Sequence, residues 1–325
     1  MLTNFPYGLS SFGMPLAGGG IPTISGIGKY IFVDATNGAD GNNGSSWSEA
    51  VKTIAQAYSL TTTNHDDVIV LSTYADHTLT AMLDLTKSRV HFVSADVYGR
   101  AYGQGAKIAM GVTTAVTDVF AVKNTGARNT FSNIKFVNNN TLTQNVACVG
   151  EGGEYTVYSN CEFYDSTRLN SDTHAEVALN GDSAQFFNCT FGSLADSVSG
   201  DKVRPAILMT SGTVTSAQSG GVSRDILFKG CRFWKNAGGT TTTMIKIAST
   251  NDLERLMELR DCTFATNMLG STPATAIASA TLTKALIILS GSTTAFGCTK
   301  IGTATGIISG QPTVVASTTI GIQAT

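Results

Sequence analysis

Charged residues are scarce in this chain of 325 residues. They make up 14% of it, and 21 Lys and Arg against 23 Asp and Glu give a net charge of −2. Without a basic patch, direct binding of nucleic acid has little electrostatic support. No apolar run approaches the ~18 residues of a membrane-spanning helix, and the longest, 285–289, has the length of a strand. The first residues lack the basic and apolar regions of a secretory signal, so we expect none.

Motifs for known catalytic or metal chemistry are also missing. There is no Ser-His-Asp elbow, phosphate-binding loop or CxxC pair. His174-Ala175-Glu176 matches the HxE of zinc deaminases, but no Pro-Cys-x-x-Cys follows it. We therefore expect no cofactor and no metal. The four histidines are scattered along the chain: His65, His77, His91 and His174.

A four-residue signature recurs five times. Its Phe positions are separated by 27, 28, 42 and 31 residues, a spacing typical of stacked repeat architectures. The copies are Asn133-Ile134-Lys135-Phe136, Asn160-Cys161-Glu162-Phe163, Asn188-Cys189-Thr190-Phe191, Gly230-Cys231-Arg232-Phe233 and Asp261-Cys262-Thr263-Phe264.

The second and fourth residues of each signature are apolar and the third is polar, which is the alternation of a strand with one buried face. One such strand about every 28 residues predicts an all-β fold, a single-stranded right-handed parallel β-helix. The 42-residue interval predicts a coil with a long loop at about 193–222. The second and fourth positions predict an interior ladder with reduced cysteines, since Cys is often a small buried hydrophobe. Its members are Ile134, Phe136, Cys161, Phe163, Cys189, Phe191, Cys231, Phe233, Cys262 and Phe264.

Residues 1–28 differ from the repeats. Three of the six prolines fall here with several glycines, which excludes a regular helix or a central strand. The segment is nevertheless too apolar for a solvated tail. We predict an extended docking arm; the alternative is an arm folded along its own rod. The expected contact residues are Leu2, Phe5, Tyr7, Phe12 and Met14.

Residues 29–62 predict an entry strand, a loop rich in Asn and Gly, and a cap helix. The strand is predicted over 29–34 and the helix over 48–58, with Ser46 or Ser48 as its N-cap. The loop at 34–44 resembles a Ca²⁺ loop but lacks the Glu of an EF-hand, so Asx turns explain it better. Residues 63–325 predict β-helix coils, with strands at 312–316 and 319–322 that close the stack or pair with a neighbouring subunit.

Acidic pairs for glycoside hydrolysis would have to come from loops. The candidates are Glu162 with Asp165, Asp172 with Glu176 beside His174, and Asp66 with Asp67. We interpret all of them as solvated or turn residues. The outward positions of the signature form a mixed series without an acidic pair: Lys135, Glu162, Thr190, Arg232 and Thr263. The sequence therefore predicts a protein that is not an enzyme.

Residues 30–34, 37–44, Trp47 and 51–57 resemble the entry segment of right-handed parallel β-helix proteins, and residues 5–15 resemble the start of virion proteins from tailed bacteriophages. This resemblance implies a structural virion protein on the virion surface, a capsid decoration or cement protein assembled in the host cytoplasm. Its expected partners are itself, as a homotrimer, and the major capsid protein of the phage head.

Two alternatives stay open. One is a phage tailspike or fibre that binds a host surface polysaccharide, with or without cleaving it. The other is a secreted polysaccharide lyase, which the missing signal and the missing carboxylate cluster disfavour.

Overall fold

The fold is known from a computed structural model of the chain. It describes residues 28–95, 105–111, 119–139, 146–165, 173–192, 204–211, 214, 221–235, 243–266, 274–280, 282–296, 298–302 and 322–323. The backbone of an antiparallel hairpin is described as well, with strands β1 (Leu9–Ser11) and β2 (Met14–Ala17). The predicted arm contacts are not described in full. Only the backbone of Met14 is described, and the other four lie outside the described residues: Leu2, Phe5, Tyr7 and Phe12. No helix of the described part is long and apolar enough to cross a membrane.

Three sheets of parallel strands form the body of the protein, and successive strands along the chain pass from one sheet to the next. Sheet 1 contains β3 (Tyr30–Val33), β4 (Asp67–Leu71), β7 (Val90–Ser94), β10 (Thr130–Ser132), β13 (Val157–Ser159), β16 (Gln185–Phe187), β19 (Ser223–Lys229), β22 (Leu253–Arg260) and β25 (Ala285–Ser290).

Sheet 2 contains the signature strands: β5 (His77–Leu79), β8 (Ala106–Met110), β11 (Ile134–Asn138), β14 (Glu162–Asp165), β17 (Thr190–Gly192), β20 (Arg232–Lys235), β23 (Thr263–Thr266) and β26 (Thr294–Phe296). At its last edge β28 (Ile322–Gln323) pairs antiparallel with β26. Residue 322, at the end of the predicted strand 319–322, therefore closes this sheet, while 312–316 lies outside the described residues.

Sheet 3 contains β6 (Leu83–Leu85), β9 (Phe120–Asn124), β12 (Ala147–Glu151), β15 (Ala175–Leu179), β18 (Ile207–Met209), β21 (Thr243–Ile247), β24 (Ala274–Ser279) and β27 (Cys298–Gly302). Each coil thus supplies one strand to each of three parallel sheets, and the predicted all-β parallel β-helix is confirmed. The predicted long loop at about 193–222 contains the sheet 3 strand β18, so it is not one continuous loop.

The turn from sheet 1 into sheet 2 is one or two residues long at the five signatures, and it begins with a left-handed residue. The first residue of every signature has φ between +53° and +66°, the region that Gly, Asn and Asp tolerate best. These corner residues are Asn133, Asn160, Asn188, Gly230 and Asp261. The signature is therefore a corner followed by a strand, and not a strand alone.

The predicted helix over 48–58 is wrong in its first half. A 3₁₀ turn covers Trp47–Glu49, and helix α1 covers Ile54–Leu60. The Asp40 carboxylate accepts hydrogen bonds from the backbone N–H groups of Lys52 and Thr53, at 2.9 and 2.8 Å, and holds that stretch extended. Thr53, not Ser46 or Ser48, is the N-cap, and it accepts from the Gln56 N–H.

Helix α1 packs on the first coils. Ile54 and Ala57 are buried with the core residues, and the ring of Tyr58 stacks on Phe92 with centroids 6.5 Å apart. In the loop before it, Asp34 Oδ1 accepts from the N–H groups of Thr36 and Asn37, which confirms the predicted Asx turn. Apolar residues of the first coils are thereby covered at this end of the stack.

Candidate functional site

The ten residues of the predicted interior ladder are all buried, each at most 2% exposed. Their Phe rings form a stack along sheet 2 with centroids 4.7–5.3 Å apart and interplanar angles of 6–12°. A second stack follows sheet 1, and the two meet edge to face. The sheet 1 stack contains Phe92, Phe131, Tyr158, Phe186 and Phe228.

The cysteines of the ladder are free thiols. Each Sγ lies 3.3–3.6 Å from a carbonyl oxygen at the end of its own sheet 1 strand and from one in the coil before. Thr293 occupies the next rung, and its hydroxyl donates to Leu259 and Ser290 at 3.1 and 2.9 Å. Burial raises the pKa of the Cys189 thiol well above its usual range. These buried groups hold the corner between sheets 1 and 2.

One carboxylate lies inside the core. Glu151 accepts hydrogen bonds from Tyr158 Oη and Gly153 N–H, both at 2.6 Å, and from Asn124 Nδ2 at 2.9 Å. The side chain is fully buried, and burial raises its pKa from 4.5 to about 7. Asn129 extends the network by donating to Asn124 Oδ1 at 2.8 Å. The network ties sheet 3 to the sheet 1 stack.

The predicted carboxylate pairs do not form catalytic pairs among the described residues. Glu162 Oε1 forms an ion pair with Lys135 Nζ at 2.8 Å. The side chain of its predicted partner Asp165 is not among those that the structure describes. Asp66 binds Arg89 and His91, whereas Asp67 accepts from the N–H groups of Lys29 and Thr62. The predicted solvated or turn role is wrong for Asp67, whose side chain is buried and fixed by these donors.

Glu176 is also buried rather than solvated, which corrects its predicted role. Its Oε1 lies 3.3 Å from Arg204 Nη2 and 3.1 Å from Lys235 Nζ, and all three side chains are at most 4% exposed. The predicted partner Asp172 lies outside the described residues. His174, two residues before Glu176 in the sequence, is also buried. Lys235 directly follows Trp234 in β20. This ion cluster anchors the end of β20.

The histidines contact structural groups. His77 Nε2 lies 2.8 Å from the Ser72 carbonyl, and His91 Nδ1 lies 2.8 Å from Thr130 Oγ1. Burial lowers the pKa of both rings. His65 lies beside Asp67. Within the described part of the chain, no group of three or more His, Cys, Asp or Glu is arranged to hold a metal ion.

The outer face of sheet 2 carries a column of aromatic side chains, hereafter the aromatic column. Tyr164, Trp234 and Phe296 lie in one register line, and small residues occupy the rungs between them. Gly192 lies between Tyr164 and Trp234, and Ala265 lies between Trp234 and Phe296. Strands are about 4.8 Å apart, so consecutive aromatic residues are about 10 Å apart along the rod.

Gly192 is required for this arrangement. Its φ is +79°, and a Cβ at this position would lie 2.2 Å from the Trp234 carbonyl oxygen. A larger residue would displace the strand that carries Trp234. The glycine also leaves the space between the Tyr164 and Trp234 side chains without a side chain of its own.

Polar side chains form a second column two residues upstream on the same face. In register order they are Lys107, Lys135, Glu162, Thr190, Arg232, Thr263 and Thr294. The five positions predicted as outward from the signature belong to this column. Together the two columns give one elongated surface with flat apolar groups beside hydrogen-bonding groups.

The four-residue signature does not predict the aromatic column, because the column lies outside it. The signal was one residue past each signature Phe, where Val137, Tyr164, Gly192, Trp234 and Ala265 follow in turn. Only the register between coils shows that these distant residues form one line. The connections that follow sheet 2, such as 193–206 between β17 and β18, are longer than the one or two residues that precede it.

No family model and no curated protein matches the chain. Among solved structures, a pectin methylesterase from Aspergillus niger is 11% identical with a TM-score of 0.46, covering 85% of each chain. A rhamnogalacturonan lyase is 12% identical with a TM-score of 0.45, covering 81% of this chain and 73% of that one. ORF18 of Geobacillus virus E2 is 12% identical with a TM-score of 0.34, covering 85% of this chain and 62% of that one.

The prediction that the chain is not an enzyme is contradicted by these comparisons. Solved structures similar to it include pectin methylesterases, pectate lyase and rhamnogalacturonan lyase, at 11–16% identity. The missing carboxylate pair was the basis of that prediction. At these identities and TM-scores the likeness assigns no activity or substrate to this chain, whose function has to be argued from its own surface.

Proposed function

We propose that this protein is a glycan-binding β-helix of the phage tailspike or fibre type, and that the outer face of sheet 2 is its binding surface. The observation that carries the proposal is the aromatic column of Tyr164, Trp234 and Phe296. Sugar rings have apolar C–H faces that pack on aromatic rings, while their hydroxyl groups need polar partners beside them. The sheet 2 face offers both in adjacent columns.

The direction of the column favours a polymer over a single sugar. The aromatic residues are spaced along the stack of coils, so a ligand that contacts all of them lies parallel to the rod. The strands below are hydrogen-bonded on both sides and packed on the Phe stack, which holds the platforms in fixed relative positions before a ligand arrives. A linear polysaccharide on a host cell surface has the matching shape.

The experiment is a binding screen of the full-length protein against bacterial surface polysaccharides, followed by titration of the best ligand. Trp234→Ala should weaken binding at least tenfold, because it removes the central platform. Trp47→Ala is the matched control: Trp47 is exposed, contacts Phe32 of sheet 1, and lies in the 3₁₀ turn that precedes the first strand of sheet 2. Equal affinities for both variants and the wild type would rule out this face as the binding surface.

Cleavage belongs in the same experiment. Incubating the best ligand with the protein and measuring new reducing ends and unsaturated products tests for hydrolysis and for elimination. The tailspike proposal accommodates either a binding protein or a cleaving one, and the product analysis decides between them.

The decoration role predicted from the N-terminal arm remains a competing outcome. That role requires residues 1–28 to bind a capsid, and the homotrimer and the capsid partner are predictions of the same kind. Solution mass and binding to undecorated capsids, measured with and without residues 1–28, distinguish the two. Arm-dependent capsid binding with no glycan binding would favour decoration over a tailspike.

A further inference from the structure

We infer that the glycan is acidic, and that Arg232 binds a carboxylate on a sugar that packs against Trp234. The inference rests on the proposed function, since it concerns the same face of sheet 2. It starts from the charges of the polar column. Lys107 Nζ lies 2.6 Å from Asp76 Oδ2, and Lys135 Nζ lies 2.8 Å from Glu162 Oε1. Both lysines are therefore neutralised within the protein.

Arg232 differs from these lysines. Its neighbours in register are Thr190 and Thr263, and it forms no ion pair with any residue that the structure describes. The side chain is half-buried on the sheet 2 face. A partly dehydrated guanidinium without an anion gains more from a carboxylate than a fully hydrated lysine does, because it offers two parallel N–H donors to the two oxygens.

Arg232 lies beside Trp234, the central residue of the aromatic column. Arg232 and Trp234 are two residues apart in β20, so both project from the same face, about 7 Å apart along the strand. A sugar ring against Trp234 then presents its substituents towards the guanidinium. The sugar ring stacks on Trp234, and its carboxylate pairs with the Arg232 guanidinium. One sugar residue therefore contacts both side chains.

The test uses the best acidic and the best neutral polysaccharide from a screen of bacterial surface glycans, each titrated with the full-length protein. The acidic one is also titrated after reduction of its carboxyl groups to alcohols, which removes the charge and keeps the ring. We expect the wild type to bind the native acidic polymer at least tenfold more tightly than its reduced form. Arg232→Gln should abolish that difference, so that it binds the native and the reduced polymer with equal affinity.

Two further variants separate a specific contact from general attraction. Arg232→Lys keeps the charge but loses the paired donors, so it should recover only part of the preference. Lys229→Gln removes an exposed charge three residues away, on sheet 1, and should change the preference less than twofold. Equal binding of native and reduced polymers by the wild type, or an unchanged preference in Arg232→Gln, would overturn the inference. Binding of no glycan at all would instead refute the proposed function.

Discussion

Tyr158 donates a hydrogen bond to Glu151 across 2.6 Å in the middle of the core, where neither side chain is exposed to solvent. Tyr158 is a member of the sheet 1 aromatic stack, so the one polar atom of that stack is used to hold a buried carboxyl group of sheet 3. Because of this buried carboxyl group, the stability of the protein should fall as the pH rises. The surface carboxylates act in the opposite direction, since they lose their ion pairs as the pH falls.

Stability should depend on the proton of Glu151. Its pKa is raised from 4.5 to about 7 by burial, so the folded protein retains a proton that the unfolded chain releases. This contribution is complete below pH 4.5 and is lost as the pH rises to 7. At 1.36 kcal/mol per pKa unit it amounts to roughly 3 kcal/mol.

Denaturant unfolding of the wild type and Glu151→Gln between pH 4 and pH 8 measures this effect. The variant has a lower baseline stability, because the amide carries two N–H donors, whereas the protonated carboxyl group carries a single O–H among neighbours that donate to it. The difference between the two proteins should nevertheless shrink as the pH rises to 7. Glu254→Gln is the control: the Arg224 side chain lowers the pKa of that carboxyl group, so its difference from the wild type should not shrink as the pH rises. A constant difference for Glu151→Gln would contradict the assignment.

The Phe stack should dominate the stability of the rod. Phe191 is buried and stacks on Phe163 and Phe233 at 4.9 and 5.0 Å. Phe191→Ala should lower the free energy of unfolding by about 3–5 kcal/mol, through lost burial and the cavity left behind. Phe296→Ala removes the same ring from a position that is 46% exposed, and should cost less than about 1 kcal/mol. Comparable losses for the two variants, measured by denaturant unfolding, would refute the core assignment.

The left-handed corners give a prediction about backbone strain. Asn188 has φ of +53° and is exposed, so its side chain contributes little packing. Asn188→Ala should destabilise the protein by about 1 kcal/mol, because a Cβ without a local hydrogen bond is strained in this region. Asn188→Gly relieves the strain and should be close to the wild type. If alanine and glycine gave the same midpoint of thermal unfolding, the corner geometry would not be limiting.

The cysteine ladder should be protected from reagents and tolerant of serine. Cys148, Cys161, Cys189, Cys231 and Cys262 are buried, so a thiol reagent should label them only at the rate of unfolding. Cys189→Ser should retain most of the stability, because Thr293 already places a hydroxyl at the equivalent carbonyls. Cys189→Ala loses that donor and should be less stable than Cys189→Ser. Rapid labelling of the four ladder cysteines in the native protein would show that the ladder is open.

Sequence periodicity predicted the strands of sheet 2 because one of their faces is buried and the other is not. Sheet 3 was harder to predict, since β12 and β15 are buried at every position and show no alternation. The start of α1 was misplaced because Asp40, 12 residues before Lys52, holds the preceding stretch extended. That contact is tertiary and leaves no local pattern.

The candidate site was missed for a related reason. Tyr164, Trp234 and Phe296 are separated by insertions of different length, so no fixed period connects them. Their alignment depends on which residues face each other in adjacent coils, and the 42-residue interval hides that register. The polar column was found because it lies inside the signature, whereas the aromatic column begins one residue beyond it.

The fluorescence of Trp234 tests the central claim most directly, because the chain has only two tryptophans. In Trp47→Phe, Trp234 is the single tryptophan, and the exchange keeps an aromatic ring near Phe32. Titration with a polysaccharide that the protein binds should change the emission of Trp234 in a saturable way, with the same midpoint as the binding curve. Undiminished binding with no change in Trp234 emission would place the glycan elsewhere and contradict the account.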